Sequence, residues 1–236
     1  MLIALLGLPV EASTEQIPQR IDPIRLSLTF SQSNPVTTID VEGRSIQAVV
    51  DTGGDGALTL SKEIIDRGGG VRLTETVGST DPFGRESKRP SFRITAVTMD
   101  GQTFRNMAVV QAPIRAAGSG PPVPNAIGRQ FLSQYFVVVD YPRASITLSQ
   151  PTAISMNCGS RRIPMEQTAE ADLPVSEFHT TAGRLRLLWD TGATYSALQE
   201  VTVEKLQLPT TVHGPNSPKF YQSKVLSAAG QDFGKV

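Results

Sequence analysis

In a chain of 236 residues, 22 basic side chains balance 22 acidic ones and 39% of residues are hydrophobic; this provides for a buried core and argues against nucleic acid or an acidic membrane surface as partner. One cysteine, Cys158, excludes an internal disulfide. The two histidines, His179 and His213, are not at ligand spacing, and neither a Gly-x-Ser-x-Gly elbow nor a Gly-Lys-Ser/Thr phosphate loop occurs; the sequence therefore implies no metal, no organic cofactor and no serine-hydrolase chemistry.

Frequent Gly, Pro, Val, Ile and Thr without long helical periodicity predict a mostly β protein with few, short helices. The apolar start, Met1 to Val10, followed by Glu11-Ala12-Ser13, reads as a signal peptide within an N-terminal segment 1–24. Export to the periplasm or medium would follow; a first strand or tail, and a cytoplasmic location, is the alternative. The run is too short to span a membrane as a helix.

A first lobe is expected over 25–150. Thr37–Val50 reads as two alternating strands joined at Glu42-Gly43 and ending on Asp51-Thr52-Gly53. Leu58–Leu60 is a strand entering a short helix, and Gly68-Gly69-Gly70 is a turn. A polar segment, Thr76 to Gly84, precedes strands Phe92–Met99 and Phe104–Val110. After a Pro/Gly loop at 116–124 come Asn125-Ala126-Ile127-Gly128, then Phe131-Leu132, then a hairpin of Phe136–Tyr141 and Ala144–Leu148 turning at Pro142-Arg143. A connector, 151–172, carries Arg161-Arg162, read as a solvated basic pair. A second lobe, 173–236, opens with a hairpin over Ser176–Trp189, its turn at Ala182-Gly183, and delivers Asp190-Thr191-Gly192. Ser196–Leu206 then reads as a short strand and helix, with Ser196 or Gln199 as cap and Leu206 facing inward.

The two Asp-Thr-Gly tripeptides stand 139 residues apart with matching flanks on both sides. Asp and Gly favour turns on their own, but a hairpin before and a strand-helix after each copy point to a duplicated lobe rather than to two chance turns. Paired carboxylates suit chemistry in which one group takes a proton from water while the other, protonated, donates to a carbonyl. Of the other nearby residues, Asp55 reads as capping the following turn and Trp189 as a packing residue on the opposite face of its strand.

These residues resemble the retropepsin-like aspartic peptidases in a bacterial form with fused lobes. The likeness rests on the apolar-apolar-Asp-Thr-Gly turn, the Gly-bearing segment Val77–Glu86, and Ala126-Ile127-Gly128 followed by the Val-Val-Asp-Tyr-Pro hairpin, with Asn125 where the family often has Asp. The resemblance implies a closed β-barrel lobe with a ψ-shaped strand crossing, and a second lobe of the same type. It implies Asp51 and Asp190 as a catalytic dyad acting on a polypeptide substrate. Thr52 and Thr191 would bond across to the opposite loop, while Gly53 and Gly192 would admit close approach of the backbone. It further implies support from Ala126, Ile127 and Gly128, and flaps with Gly78, Phe83 and Gly84 in lobe one and Gly230 in lobe two.

Gly128 lies 77 residues after Asp51, whereas 46 residues follow Asp190. The second lobe is therefore expected to be incomplete and poorly packed from about Leu208 onward. Two alternatives follow: a homodimer whose dyad is Asp51 paired with its own copy, and a noncatalytic peptide-binding module that keeps the cleft.

Overall fold

The computed structural model describes residues 22–31, 33–80, 86–113, 123–150, 165–168, 171–180, 183–193 and 200–207, with short strands at 210–211, 220–221, 227–228 and 231–232. The apolar start, Phe83, Gly84, Cys158, Arg161-Arg162, the caps Ser196 and Gln199, His213 and Gly230 lie outside the described residues. So do the side chains from Leu208 onward on which the packing expectation falls, apart from that of Ser227.

The chain is mostly β. In order it forms β1 (Ile24–Ser27), β2 (Thr29–Ser31), β3 (Asn34–Val41), β4 (Arg44–Val50), β5 (Leu58–Leu60), α1 (Lys62–Arg67), β6 (Val71–Thr80), β7 (Glu86–Met99), β8 (Gln102–Gln111), β9 (Ala126–Ile127), α2 (Arg129–Leu132), β10 (Phe136–Asp140) and β11 (Ser145–Ser149). There follow β12 (Glu166–Thr168), β13 (Ala171–Thr180), β14 (Gly183–Leu188), α3 (Glu200–Leu206), β15 (Thr210–Thr211), β16 (Phe220–Tyr221), β17 (Ser227–Ala228) and β18 (Gln231–Asp232).

The β3–β4 hairpin follows from its sequence. Val36, Ile39 and Val41 are buried on β3 and Ala48, Val49 and Val50 on β4, and the Glu42-Gly43 turn has positive φ at both residues, 51° and 76°. That is the turn whose twist matches antiparallel strands. The Asp40 carboxylate secures it by accepting from the Gly43 N–H at 2.7 Å.

Eight strands run in the order β2-β3-β4-β9-β5-β8-β7-β6, and an additional β3–β7 pairing brings the path back on itself. That pairing holds at only two positions, Asp40 with Thr98 and Val41 with Val97. β2 and β6 lie beyond it, and β1, β11 and β10 form a separate three-stranded sheet, so the closed barrel expected from the sequence is not a clean one. The physical reason is length: β6 and β7 pair as a long ribbon that outruns β3, and a two-stranded ribbon twists away from the sheet it leaves.

The short strand β9 positions the site. It lies parallel to β4, with Val49 opposite Ala126 and Val50 opposite Ile127, and antiparallel to β5. The chain thus leaves β4 at Asp51, returns as β5, and is threaded by β9 between the two. Leu58, Leu60, Ile65, Ile94 and Ile127, each at most 1% exposed, form the core beneath this crossing. Asn125, also buried, spans it: its side-chain oxygen accepts from Ser61 N–H at 2.9 Å and its amide donates to Gln47 O at 3.0 Å.

In the second half β13 and β14 pair from Val175–Leu188 to Thr180–Gly183, with β12 and β17 also against β13. Phe178, Leu185, Val203 and Leu206 are buried there. Among the described residues after 165, no strand threads beside β14 as β9 threads beside β4. No described helix is long and apolar enough to cross a membrane.

Candidate active site

Both Asp-Thr-Gly turns follow the end of the second strand of a hairpin, β4 for Asp51 and β14 for Asp190. Their threonines bond reciprocally. Thr52 N–H donates to Thr191 Oγ1 at 3.1 Å, and Thr191 N–H donates to Thr52 Oγ1 at 3.1 Å. Each hydroxyl then donates to the carbonyl that precedes the opposite aspartate: Thr52 Oγ1 to Trp189 O and Thr191 Oγ1 to Val50 O, both at 2.6 Å. Threonine alone among compact side chains of this shape can accept and donate at once from a stiff χ1 rotamer. Four hydrogen bonds related by a local two-fold therefore lock the turns together. Asn34 of β3 adds a further tie, donating from Nδ2 to Gly192 O at 3.0 Å.

The glycines allow the approach. A Cβ on Gly53 would lie 2.6 Å from Cγ of Asp190, and one on Gly192 would lie 2.4 Å from Cγ of Asp51. Any side chain at either position would displace the opposite carboxyl group. Within each turn the glycine N–H donates to its own aspartate: Gly53 N to Asp51 Oδ1 at 3.1 Å and Gly192 N to Asp190 Oδ1 at 2.8 Å. Below, a Cβ on Gly128 would meet Gly56 O at 2.5 Å, so Gly128 is where the Asp51 loop packs directly on the residue after β9. Backbone bonds hold that contact, from Asp51 N to Ile127 O and from Arg129 N to Gly54 O, each at 2.9 Å.

Burial, then the adjacent charge of Asp190 and a hydrogen bond with it, push the Asp51 carboxyl up from 3.8 to about 7, against the opposing pull of the Gly53 and Gly54 N–H groups. Two carboxyls in hydrogen-bond contact cannot both ionise cheaply, so the pair holds one proton over the range in which lone carboxylates have lost theirs.

Trp189 is 40% exposed. Its indole N–H donates to Ser176 Oγ at 2.9 Å and its ring packs 5.5 Å from Phe178, which anchors the strand end carrying Asp190. Gly78 lies inside β6 opposite Lys88 rather than in a turn, with nothing within 4 Å of its Cβ position. Ala126 and Ile127 are β9 itself.

Sequence reasoning missed Asn34, Arg89 and Arg129, and it missed the ion pairs of Asp55. Asp55 is held by two cations rather than serving only as a turn cap: Arg89 Nη2 of β7 lies 3.5 Å away and Arg129 Nη2 of α2 lies 3.8 Å away. No short-range pattern links these three positions. Among the described residues no group of three or more His, Cys, Asp or Glu is placed to hold a metal ion.

No family model matches the chain, and no curated protein matches it. Among solved structures, a retropepsin-like aspartic protease from Rickettsia conorii is similar at 18% identity and a TM-score of 0.38, over 53% of this chain and 89% of that one.

Proposed function

We propose that this chain is an aspartic endopeptidase of the retropepsin-like kind in which Asp51 and Asp190 act as one acid–base pair on a polypeptide. The observation that carries the reading is the two-fold hydrogen-bonded arrangement of the Asp-Thr-Gly turns, which sets two carboxyls in contact within a single chain. With one proton between them, the ionised member takes a proton from water as its oxygen attacks the scissile carbonyl carbon. The protonated member donates to the carbonyl oxygen, giving a gem-diol. Collapse of that intermediate breaks the C–N bond: the carboxyl that took the proton from water passes it to the leaving amine, while the other, now ionised, takes a proton from a gem-diol hydroxyl as the carbonyl re-forms. The substrate gains one water in all, and the pair returns to its starting state. Contact between Asp51 and Asp190 of the same chain favours this version over an Asp51 pair formed between two chains.

The test is incubation of the full chain with an unfolded protein from pH 3 to 8, with and without a statine-type inhibitor. Inhibitor-sensitive cleavage is expected. Folded material that binds the unfolded protein and never cuts it would replace the enzyme with a peptide-binding module.

A further inference from the structure

Arg89 stands apart from the other charged residues. It lies on the outgoing strand of the β6–β7 hairpin, far in sequence from Asp51, yet its guanidinium reaches the loop that carries Asp51. Its side chain is only 11% exposed, and its Nη2 contacts Asp55 Oδ2 at 3.5 Å. Arg89 Nε and Arg129 Nη1 are buried with no hydrogen-bond partner among the described residues. A buried guanidinium with an unused N–H is costly to keep, and one shared carboxylate at 3.5 and 3.8 Å is weak compensation. The fold therefore keeps two partly buried cations against one carboxylate, Asp55, on the Asp51 loop.

The rest of the Asp51 loop is held from below, by backbone bonds to the β9–α2 segment. Arg89 ties the loop to the hairpin through Asp55. We propose that Arg89 is a positioning residue for the dyad: through Asp55 it fixes the hairpin against the Asp51 loop, and from that contact its positive charge acts on the pair and favours its singly ionised form.

The charged neighbours fit this assignment. From the loop, Asp55 and Asp51 act on Arg89, and their fields oppose the lowering that burial imposes on its guanidinium. From α2 comes Arg129, and from the second Asp-Thr-Gly turn Asp190, which touches Asp51. On β6 the residue opposite Arg89 is Val77. The β7–β8 register ends at Ser91 opposite Val110, and the β3 partners of β7 are Thr98 and Val97 with Asp40 and Val41, well along the strand. Lys88 and Glu86 are its neighbours on β7 itself.

The catalytic consequence rests on the dyad reading; the titration consequence does not. The experiment follows the Asp51 carboxyl carbon by NMR in full-length protein labelled at aspartate, with the signal assigned by its loss in Asp51→Asn. The native chain is compared with Arg89→Met and Arg89→Lys. Arg89→Met is expected to raise the Asp51 midpoint by a fraction of a pH unit, as loss of an opposite charge that acts through a neighbouring carboxylate does, whereas Arg89→Lys should restore most of it. Both limbs of the pH profile for peptide hydrolysis should move up with it in Arg89→Met. A midpoint unchanged in a folded Arg89→Met chain overturns the proposal, as does an equal shift in Arg89→Lys. A shifted midpoint in a chain whose native form cleaves nothing would leave the proposal standing and remove the peptidase reading instead. If Arg89→Met does not fold, Arg89→Gln, which also removes the charge and keeps a hydrogen-bonding side chain, supplies the same comparison against Arg89→Lys.

Discussion

Replacing Asp51 by Asn tests the paired carboxyls through stability alone. In the folded chain the Asp51 carboxyl is held at about 7 against an ordinary 3.8. A displacement of roughly three units at 1.36 kcal/mol each corresponds to about 4 kcal/mol as an upper limit on the cost of ionising it in place. The sign follows from proton binding: between pH 4 and 7 the folded state keeps a proton that the unfolded state has released, so stability falls as pH rises through that window and levels off above it. Asp51→Asn keeps the shape and a hydrogen-bonding amide but has nothing to ionise. Its stability relative to the native chain should therefore improve by about 2–4 kcal/mol between pH 4 and pH 7, which for a chain of this size is a relative gain of roughly 5–10 °C in melting temperature. The assay is denaturant and thermal unfolding of both proteins at half-unit pH steps. Curves that run parallel from pH 4 to 7 would refute the argument that Asp51 is held protonated by its surroundings.

Other consequences concern the supports. Thr52→Val or Thr191→Val removes a hydroxyl that both donates and accepts, and each should lower stability by about 1–3 kcal/mol. The double variant should cost clearly less than the sum in urea unfolding, because the two side chains share one network. Gly192→Ala sets a Cβ within 2.4 Å of Asp51 Cγ; peptide hydrolysis should drop at least about 100-fold, as a misplacement of about 1 Å does, in a chain that circular dichroism reports as folded. Asn125→Asp loses the donor to Gln47 O and sets a carboxylate against a carbonyl. Its melting temperature should fall, more at pH 7 than at pH 4, where the acid regains a donor proton.

Much of this was legible in the chain, and the parts that were not share a physical cause. The hairpins ending in Asp51 and Asp190 carry local signals, an alternating pattern and a Gly turn, and they appear where read. β7 begins at Glu86 rather than Phe92, because Ser87-Lys88-Arg89-Pro90 has no apolar alternation and is held as strand by β6. α2 is four residues long, too short to show a period. β1 finds its partner in β11, with Ile24 opposite Leu148, a pairing across more than half the chain that no local rule anticipates. At the site, Asp-Thr-Gly named the acids and the cross-bonding threonines, whereas Asn34, Arg89 and Arg129 reach it only through the tertiary fold. Asn125 has its reason in the structure: the position needs a donor for Gln47 O as well as an acceptor for Ser61 N–H.

In the proposed function Asp51 and Asp190 work as one unit within one chain, and single-site inactivation measures this directly. Hydrolysis of a peptide cleaved by the native protein should be abolished by Asp51→Asn and equally by Asp190→Asn, each in folded protein. Full activity in Asp190→Asn alongside an inactive Asp51→Asn would contradict it.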